Sequence, residues 1–374
     1  MTDTDAVDDF VAAGLYDPDS PNAAAQLELL EYLTDEVGAS IPEIVMATES
    51  GGLMSFAAFR RLREGREHLT IAEAAAQAGI DLDVAIEIWR AAGLSEPRPF
   101  ERRCGGHDVE MFRVFLNVAG LVERDLVIQL VRTIGEAVAR IADAEIALLR
   151  SNVEAPLVQT QQFVDVARAY VAVADAIFPR LAEAIDTLHR HHLQMIGRRY
   201  SDVGAPTSAH NVVQLAVGFA DLAGYTGLTQ ELDAHGLAHM LSTFEATTGD
   251  VITRAGATVA KRIGDAVMYV SNAPGVACGL AVELLEACAA RGLPKLRVAV
   301  AFGDVMVRQG DFYGPVVNLA ARLVAAADPG TALADAALFD RLGSARMGYA
   351  FLPAGWLELA GYTAPVPAYQ LLRT

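Results

Sequence analysis

Over residues 23–200 the apolar side chains return every three or four positions, whereas beyond Val212 they come in short runs separated by turn-forming residues. Spacing of the first kind lays a stripe along a helix, and runs of the second kind alternate with helical stretches as the strands of a covered sheet do. The expected fold class is therefore α+β, with an all-helical N-terminal domain, 1–205, followed by a mixed domain, 206–374. The boundary falls in the polar segment 197–211, which contains Gly204, Pro206 and Ser208. A length of 374 residues allows each half its own core.

In the helical half, Thr70 and Asp83 are candidate N-caps of two short helices joined at Gly79, a helix-turn-helix pattern. The second helix carries Asp83 and Glu87 against Arg90, while a helix that reads a DNA groove is usually basic, so packing is the favoured reading. Gly93, Pro97 and Pro99 then mark a loop. Met111, Val114, Phe115, Val118, Leu126, Ile128, Val131, Ile134, Val138 and Ile141 predict helices that bury a wide stripe, in a helical core, along a dimer seam or around an acyl chain. Pro179 is expected to break the last helical stretch. Near its end, His189, His191 and His192 would repel one another once protonated, which makes them a candidate proton sensor. A solvated helix end whose cations complement the dipole is the plainer alternative.

The formal net charge of -18 opposes nucleic-acid backbones and anionic lipid surfaces, so neither is an expected partner. Although 53% of residues are hydrophobic, no run of about 18 apolar residues is free of charge, and no stable membrane insertion is expected. The acidic start, with Asp3 and Asp5, is unlike a secretory signal, which points to the cytoplasm. Cys104, Cys278 and Cys288 show no CxxC spacing, against both a disulfide framework and a zinc site. They are expected to be buried, with an exposed thiol as the alternative for Cys104.

In the mixed half, strands are expected at 212–219, 257–263 and 266–270, with a second hairpin at 296–302 and 305–308. Helices are expected from about Thr226, at 276–291 and at 316–326. Asp221 and Asp265 sit in turn-like settings at strand ends. Paired carboxylates can hold Mg²⁺ or Mn²⁺ while substrate phosphates complete the shell. Gly-Asp is also a common hairpin turn, and an Asp after a strand often caps a helix. Asn318 and Arg322, four apart, share one helix face and can meet one ligand or form a solvated stripe.

The segments FADLAGYT, KRIGDAVM, LRVAVAFGDV and GDFYGPVVNLAARL resemble the class III nucleotidyl cyclases in order and spacing, over residues 213–371. The resemblance implies a ferredoxin-like βαββαβ core, active as a head-to-tail homodimer with sites at the interface and two Mg²⁺ or Mn²⁺ ions per site. It also implies conversion of ATP to 3′,5′-cyclic AMP and pyrophosphate. Asp221 and Asp265 would be the metal aspartates of one subunit. Lys261 and Asp311 of the other would read the base, Lys261 donating to adenine N1 and Asp311 accepting from the exocyclic amine; guanine presents the opposite pattern. Asn318 would orient the ribose and Arg322 would offset charge building on the α-phosphate. Arg297 and the backbone near Thr226 would contact phosphates.

The chain departs from this family at Ala360, where a Lys or Arg often precedes the glycine, so weaker ATP affinity or a substitute cation is expected. A helical domain ahead of a cyclase domain resembles mycobacterial soluble cyclases in which that domain regulates catalysis, some responding to acid pH or fatty acid. Outside enzymes, the alternative is a transcriptional regulator that binds nucleotide with little catalysis and uses the helix-turn-helix segment.

Overall fold

The structure is a computed structural model that describes residues 3–63, 68–160, 162–202, 212–342 and 348–374. The chain forms two compact units, Met1–Leu193 and Gln194–Thr374.

The described part of the first unit is helical: α1 Asp3–Ala12, α2 Ala23–Glu31, α3 Ile41–Glu49, α4 Phe56–Arg63, α5 Ile71–Ala78, α6 Leu82–Ala91, α7 Gly106–Ala119, α8 Arg124–Leu149, α9 Ala155–Gln159 and α10 Phe163–Ala176. The last helix, α11 Phe178–Asp202, starts where Pro179 is tolerated in a first turn. Thr70 caps α5 as expected: its hydroxyl accepts from the Glu73 N–H while Glu73 accepts from the Thr70 N–H. Asp83 is not a cap, because α6 begins one residue earlier behind Asp81. Gly79, at φ 77°, makes the turn between them.

The helix-turn-helix is a packing unit. Ile71, Ala74 and Ala75 of α5 and Ala85, Ile88 and Trp89 of α6 join Phe112 of α7 and Val131 of α8 in one core. On the outer surface of α6, Glu87 and Arg90 are committed to ion pairs with Arg124 and Glu96. Cys104 is buried in this core, which removes the exposed-thiol alternative; Cys278 and Cys288 are buried too. Of the stripe expected on α8, Ile128 and Val131 are buried, and Val127 and Leu149 beside it are buried as well. Leu126, Ile134, Val138 and Ile141 stay between 38% and 54% exposed, because the unit supplies no second layer over that side.

The second unit carries one mixed sheet. Its elements are β1 Val212–Leu222, α12 Tyr225–Glu231, α13 Ala234–Arg254, β2 Thr258–Ile263, β3 Ala266–Ser271, α14 Pro274–Ala290, β4 Leu296–Arg308, β5 Asp311–Tyr313, α15 Pro315–Ala326, β6 Ala332–Asp335, α16 Ala336–Leu342, β7 Tyr349–Leu357 and β8 Val366–Arg373. The sheet order is β2-β3-β1-β4-β6-β8-β7, with β5 paired to β4. Its first four strands, antiparallel in the order 2-3-1-4, give the ferredoxin-like βαββαβ core. Two expectations are corrected here. The long helix after β1 is split by Leu232 and Asp233, and Asp233 caps α13 by accepting from the Gly236 N–H. The hairpin expected at 296–308 is one 13-residue strand: Gly303, at φ 157°, is extended enough to stay in register with Leu215.

Alternation along β1 divides the core between the two sheet faces. Ala216, Ala220 and Leu222 join Phe244 and Ile252 of α13 and Leu280 and Leu284 of α14, while Leu215, Val217 and Phe219 join Leu323 and Val324 of α15. Gly218 is required between them. A Cβ there would lie 2.1 Å from the ring of Tyr269, which is fully buried opposite it on β3.

Candidate active site

Asp221 is the next-to-last residue of β1, and the sheet register sets it opposite Ala266 on one side and Arg297 on the other. Asp265 stands in the two-residue turn between β2 and β3, after Gly264 at φ 60°, and its carbonyl accepts from the Leu222 N–H at 3.2 Å. Strand pairing alone thus brings together two carboxylates that are 44 residues apart in sequence. Burial pushes the Asp221 carboxyl up to about 6, the Asp265 charge and a hydrogen bond with it push the same way, and Arg297 pulls it down. The pair is short of positive charge. Arg297 is the nearby cation, and its Nε is buried without a hydrogen-bond partner, which is costly unless a further group arrives. Two crowded carboxylates beside an under-used guanidinium fit a hard divalent cation bound with phosphate oxygens. Among the described residues no cluster of three or more His, Cys, Asp or Glu side chains surrounds a common point, so protein ligands alone do not complete a shell.

The second group lies on β2 and β5. Lys261 Nζ donates to both carboxylate oxygens of Asp311, at 2.9 and 2.7 Å. The Asp311 carboxylate also accepts from the Phe312 N–H at 2.8 Å. Burial raises its affinity for a proton, but Lys261 and these donors outweigh that and hold it below the usual carboxylate range. The pair remains about one-third exposed, so both ends can reach a ligand. Lys261 keeps one further ammonium proton and Asp311 keeps free lone pairs, which together offer one donor and one acceptor side by side.

Asn318 and Arg322 lie one turn apart on α15, both exposed, and no ion pair engages Arg322 among the described residues. The helix starts at Pro315 directly after β5, so the sequence GDFYGP delivers Asp311 and the two α15 residues in succession. Thr226 is exposed in the first turn of α12, which follows Gly224 at φ 78°. Ala360 is exposed in a turn closed by Tyr362 N–H to Leu359 O, with Gly361 at φ 87°.

Comparison with known proteins matches residues 5–196 to the adenylate cyclase regulatory domain and residues 207–372 to the adenylate and guanylate cyclase catalytic domain. An adenylate cyclase of Streptomyces coelicolor is 30% identical over 272 residues, 72% of this chain and 70% of that one. The chain belongs to the adenylate cyclase family. The cyclase is also 37% identical over 375 residues, 99% of its length and 95% of the relative's, to a Mycobacterium tuberculosis protein described only as uncharacterised. A pH-sensitive adenylate cyclase of the same species matches 94% of the cyclase, and 88% of its own length, at 25% identity. The activity is therefore that of an adenylate cyclase, a lyase that forms cyclic AMP from ATP.

The sequence points to both the Asp221–Asp265 and the Lys261–Asp311 pairs, but not to Asp221 and Arg297 facing each other directly across β1 and β4. Sequence reasoning also missed Asp335, buried at the end of β6, although an acid three residues before Leu338 at a strand end is a cap signal.

Proposed function

We propose that the cyclase acts as a homodimer in which the Asp221–Asp265 pair of one chain faces Lys261, Asp311, Asn318 and Arg322 of the other, with two divalent cations at each site. The observation that carries this reading is the division of one chain's polar groups into a carboxylate pair with Arg297 as its one neighbouring cation among the described residues and a set that lacks acidic metal ligands of its own beyond the ion-paired Asp311. Asp221 and Asp265 would hold Mg²⁺ or Mn²⁺, which when bound neutralises phosphate charge and makes the ribose 3′-hydroxyl more acidic. Lys261 and Asp311 take adenine by its N1 and exocyclic amine, and their own ion pair orients each toward the base. Asn318 holds the ribose so that the 3′-oxygen lies in line with the α-phosphorus. That oxygen bonds to phosphorus as the bond to pyrophosphate breaks, and Arg322 offsets the charge that develops. Arg297 and Thr226 contact the phosphates, which gives the buried Arg297 Nε region an anionic neighbour.

The helical unit regulates this site in the proposed reading. His189, His191 and His192 are exposed on α11, with Arg190 paired to Asp186 at 2.8 Å on the same helix. Protonation adds positive charge to a helix face whose acid is already committed. The matching relative described as pH-sensitive supports a proton as the signal. The exposed row Leu126, Leu130, Ile134 and Val138 on α8 supports a second copy of the chain as the partner of this unit.

One experiment tests both parts: cyclic AMP formation from ATP with Mg²⁺ and with Mn²⁺ across pH 5 to 8. It uses the wild-type chain, Asp265→Ala, and the variant with all three histidines changed to Gln. Asp265→Ala is expected to lose about a hundredfold or more of the activity, as loss of a metal ligand should. The histidine variant is expected to keep its turnover and lose the acid response. An undiminished acid response in that variant would remove the sensor reading, and an active Asp265→Ala would remove the metal assignment.

A further inference from the structure

A cavity of about 530 Å³ opens on the α14 side of the catalytic unit, between the C-terminal half of α14, the segment that enters β4, the segment 329–331 before β6, and the end of β8. Its walls are largely aliphatic: Val282, Leu285, Leu293, Leu296 and Leu371. A volume of this size suits a small organic ligand. Three charged side chains stand at its rim. Glu286 and Arg373 are paired at 3.2 Å, which leaves Lys295 as the rim charge engaged by no ion pair among the described residues. The Lys295 stem lies along Gly330, where an added Cβ would come within 3.6 Å of its Cδ, so the ammonium stays at the mouth while the stem lines the wall. In a chain with net charge -18 this rim carries an excess positive charge.

The floor of the cavity is tied by backbone hydrogen bonds to the strands that carry the active-site groups. Lys295 O accepts from the Ala223 N–H at 2.8 Å, two residues after Asp221, and Leu296 lies opposite Leu222. The Leu222 N–H in turn donates to Asp265 O. On the other side, Leu296 O accepts from the Gly330 N–H at 2.6 Å, and Thr331 O accepts from the Val298 N–H at 3.0 Å. Arg297 lies between these two ties. A ligand that spreads or tightens 293–296 against 329–331 therefore displaces the Arg297 and Asp221 positions directly.

We propose that this cavity binds a compact apolar molecule bearing one carboxylate, with the carboxylate on Lys295 and the apolar body against the α14 wall, and that occupancy changes turnover. The effect on turnover rests on the assignment of Asp221, Asp265 and Arg297 proposed above; binding itself does not. The test is calorimetric titration of the full chain with naphthalene-2-carboxylate and with its neutral amide, together with cyclic AMP formation at saturating carboxylate. One saturable site per chain is expected, about tenfold weaker for the amide and about tenfold weaker for the carboxylate in Lys295→Glu. Ala289→Trp, which fills the mouth from the exposed side of α14, is expected to remove binding. Turnover is expected to shift about twofold or more in the wild type, and not in Lys295→Glu at the same ligand concentration. Absence of saturable binding, or equal affinity for acid and amide in every variant, overturns the site. Binding without any change in turnover overturns its regulatory role. Binding in a chain that forms no cyclic AMP supports the site and places the failure in the catalytic reading.

Discussion

Two aspartates at strand ends in the catalytic unit, Asp221 and Asp335, are both pushed up to about 6, and the reasons differ. Asp221 is half-buried beside a second carboxylate, an arrangement that asks for a cation. Asp335 is almost fully buried, and burial is its main cause. Its carboxylate accepts from the Leu338 N–H at 2.9 Å, capping α16, and from the Phe302 N–H at 3.3 Å, just past the last β4–β6 register pair. These bonds favour the charged form but do not offset the desolvation. A folded-state acid that holds its proton more tightly than the unfolded one contributes stability that is full below about pH 4 and lost as pH rises through about 6. The gap corresponds to on the order of 3 kcal/mol. Asp335→Asn keeps an acceptor for the Leu338 N–H and cannot ionise, so urea melts should show wild type losing stability relative to the variant between pH 4 and 7. Parallel stabilities across that range would mean that the carboxyl is not held protonated in the fold. Half of this was legible in the sequence, where an acid three residues before Leu338 at a strand end signals a cap; the bond from the Phe302 N–H was not, because nothing in Ala334-Asp335-Ala336 marks a contact 33 residues away.

At the scale of elements, the Lys261–Asp311 pair depends on one turn. Arg308 pairs with Asp311 across two residues, Gln309 at φ 54° and Gly310 at φ 74°, both left-handed, as a type I′ hairpin requires. Gln309 is the one non-glycine residue at positive φ among the described residues, and such a residue costs on the order of 1 kcal/mol. Gln309→Gly is expected to recover part of this cost, net of the greater freedom glycine has in the unfolded chain. Gly310→Val, β-branched at a left-handed position, is expected to destabilise by about 1–2 kcal/mol and to weaken ATP binding by loosening Asp311. Thermal melts and ATP titrations of the two variants check this, and a Gly310→Val chain with unchanged melting and affinity would contradict it. The sequence revealed elements well where residue type alone fixes geometry: the Gly264-Asp265 turn, the helix at 316–326, and Thr70 as the cap of α5. It misread 296–308, because Gly303-Asp304 looks like a turn whereas pairing with β1 along the whole of β4 keeps the strand extended. For the apolar row on α8 it left a core, a dimer seam and an acyl chain open, and the single chain leaves much of that row exposed. Periodicity reports that a face is apolar and is silent on what covers it.

For the molecule as a whole, the consequence of the proposed assembly is that catalysis belongs to pairs of chains. Each homodimer would contain two equivalent sites, and every site would take its carboxylates from one chain and its α15 residues from the other. Asp221→Ala spoils the carboxylate half of the chain that carries it, and Asn318→Ala spoils the other half. In a heterodimer of these two variants, both lesions fall on the same one of the two sites. The second site then receives Asp221 and Asp265 from the Asn318→Ala chain and Lys261, Asp311, Asn318 and Arg322 from the Asp221→Ala chain, and is complete. Random re-pairing of an equal mixture puts half of the dimers in this hybrid state, each with one working site of two. The mixture should therefore recover about a quarter of wild-type activity if sites act independently. Neither parent should rise above background at any concentration, since each homodimer carries its lesion in both sites. Recovery measured after denaturation and joint refolding, against the same mixture combined without refolding, separates exchange of chains from residual activity. A refolded mixture as inactive as its parents, with dimers demonstrated by sedimentation, would place both halves of the site within one chain. It would leave the Lys261–Asp311 contact as part of a site complete in a single subunit.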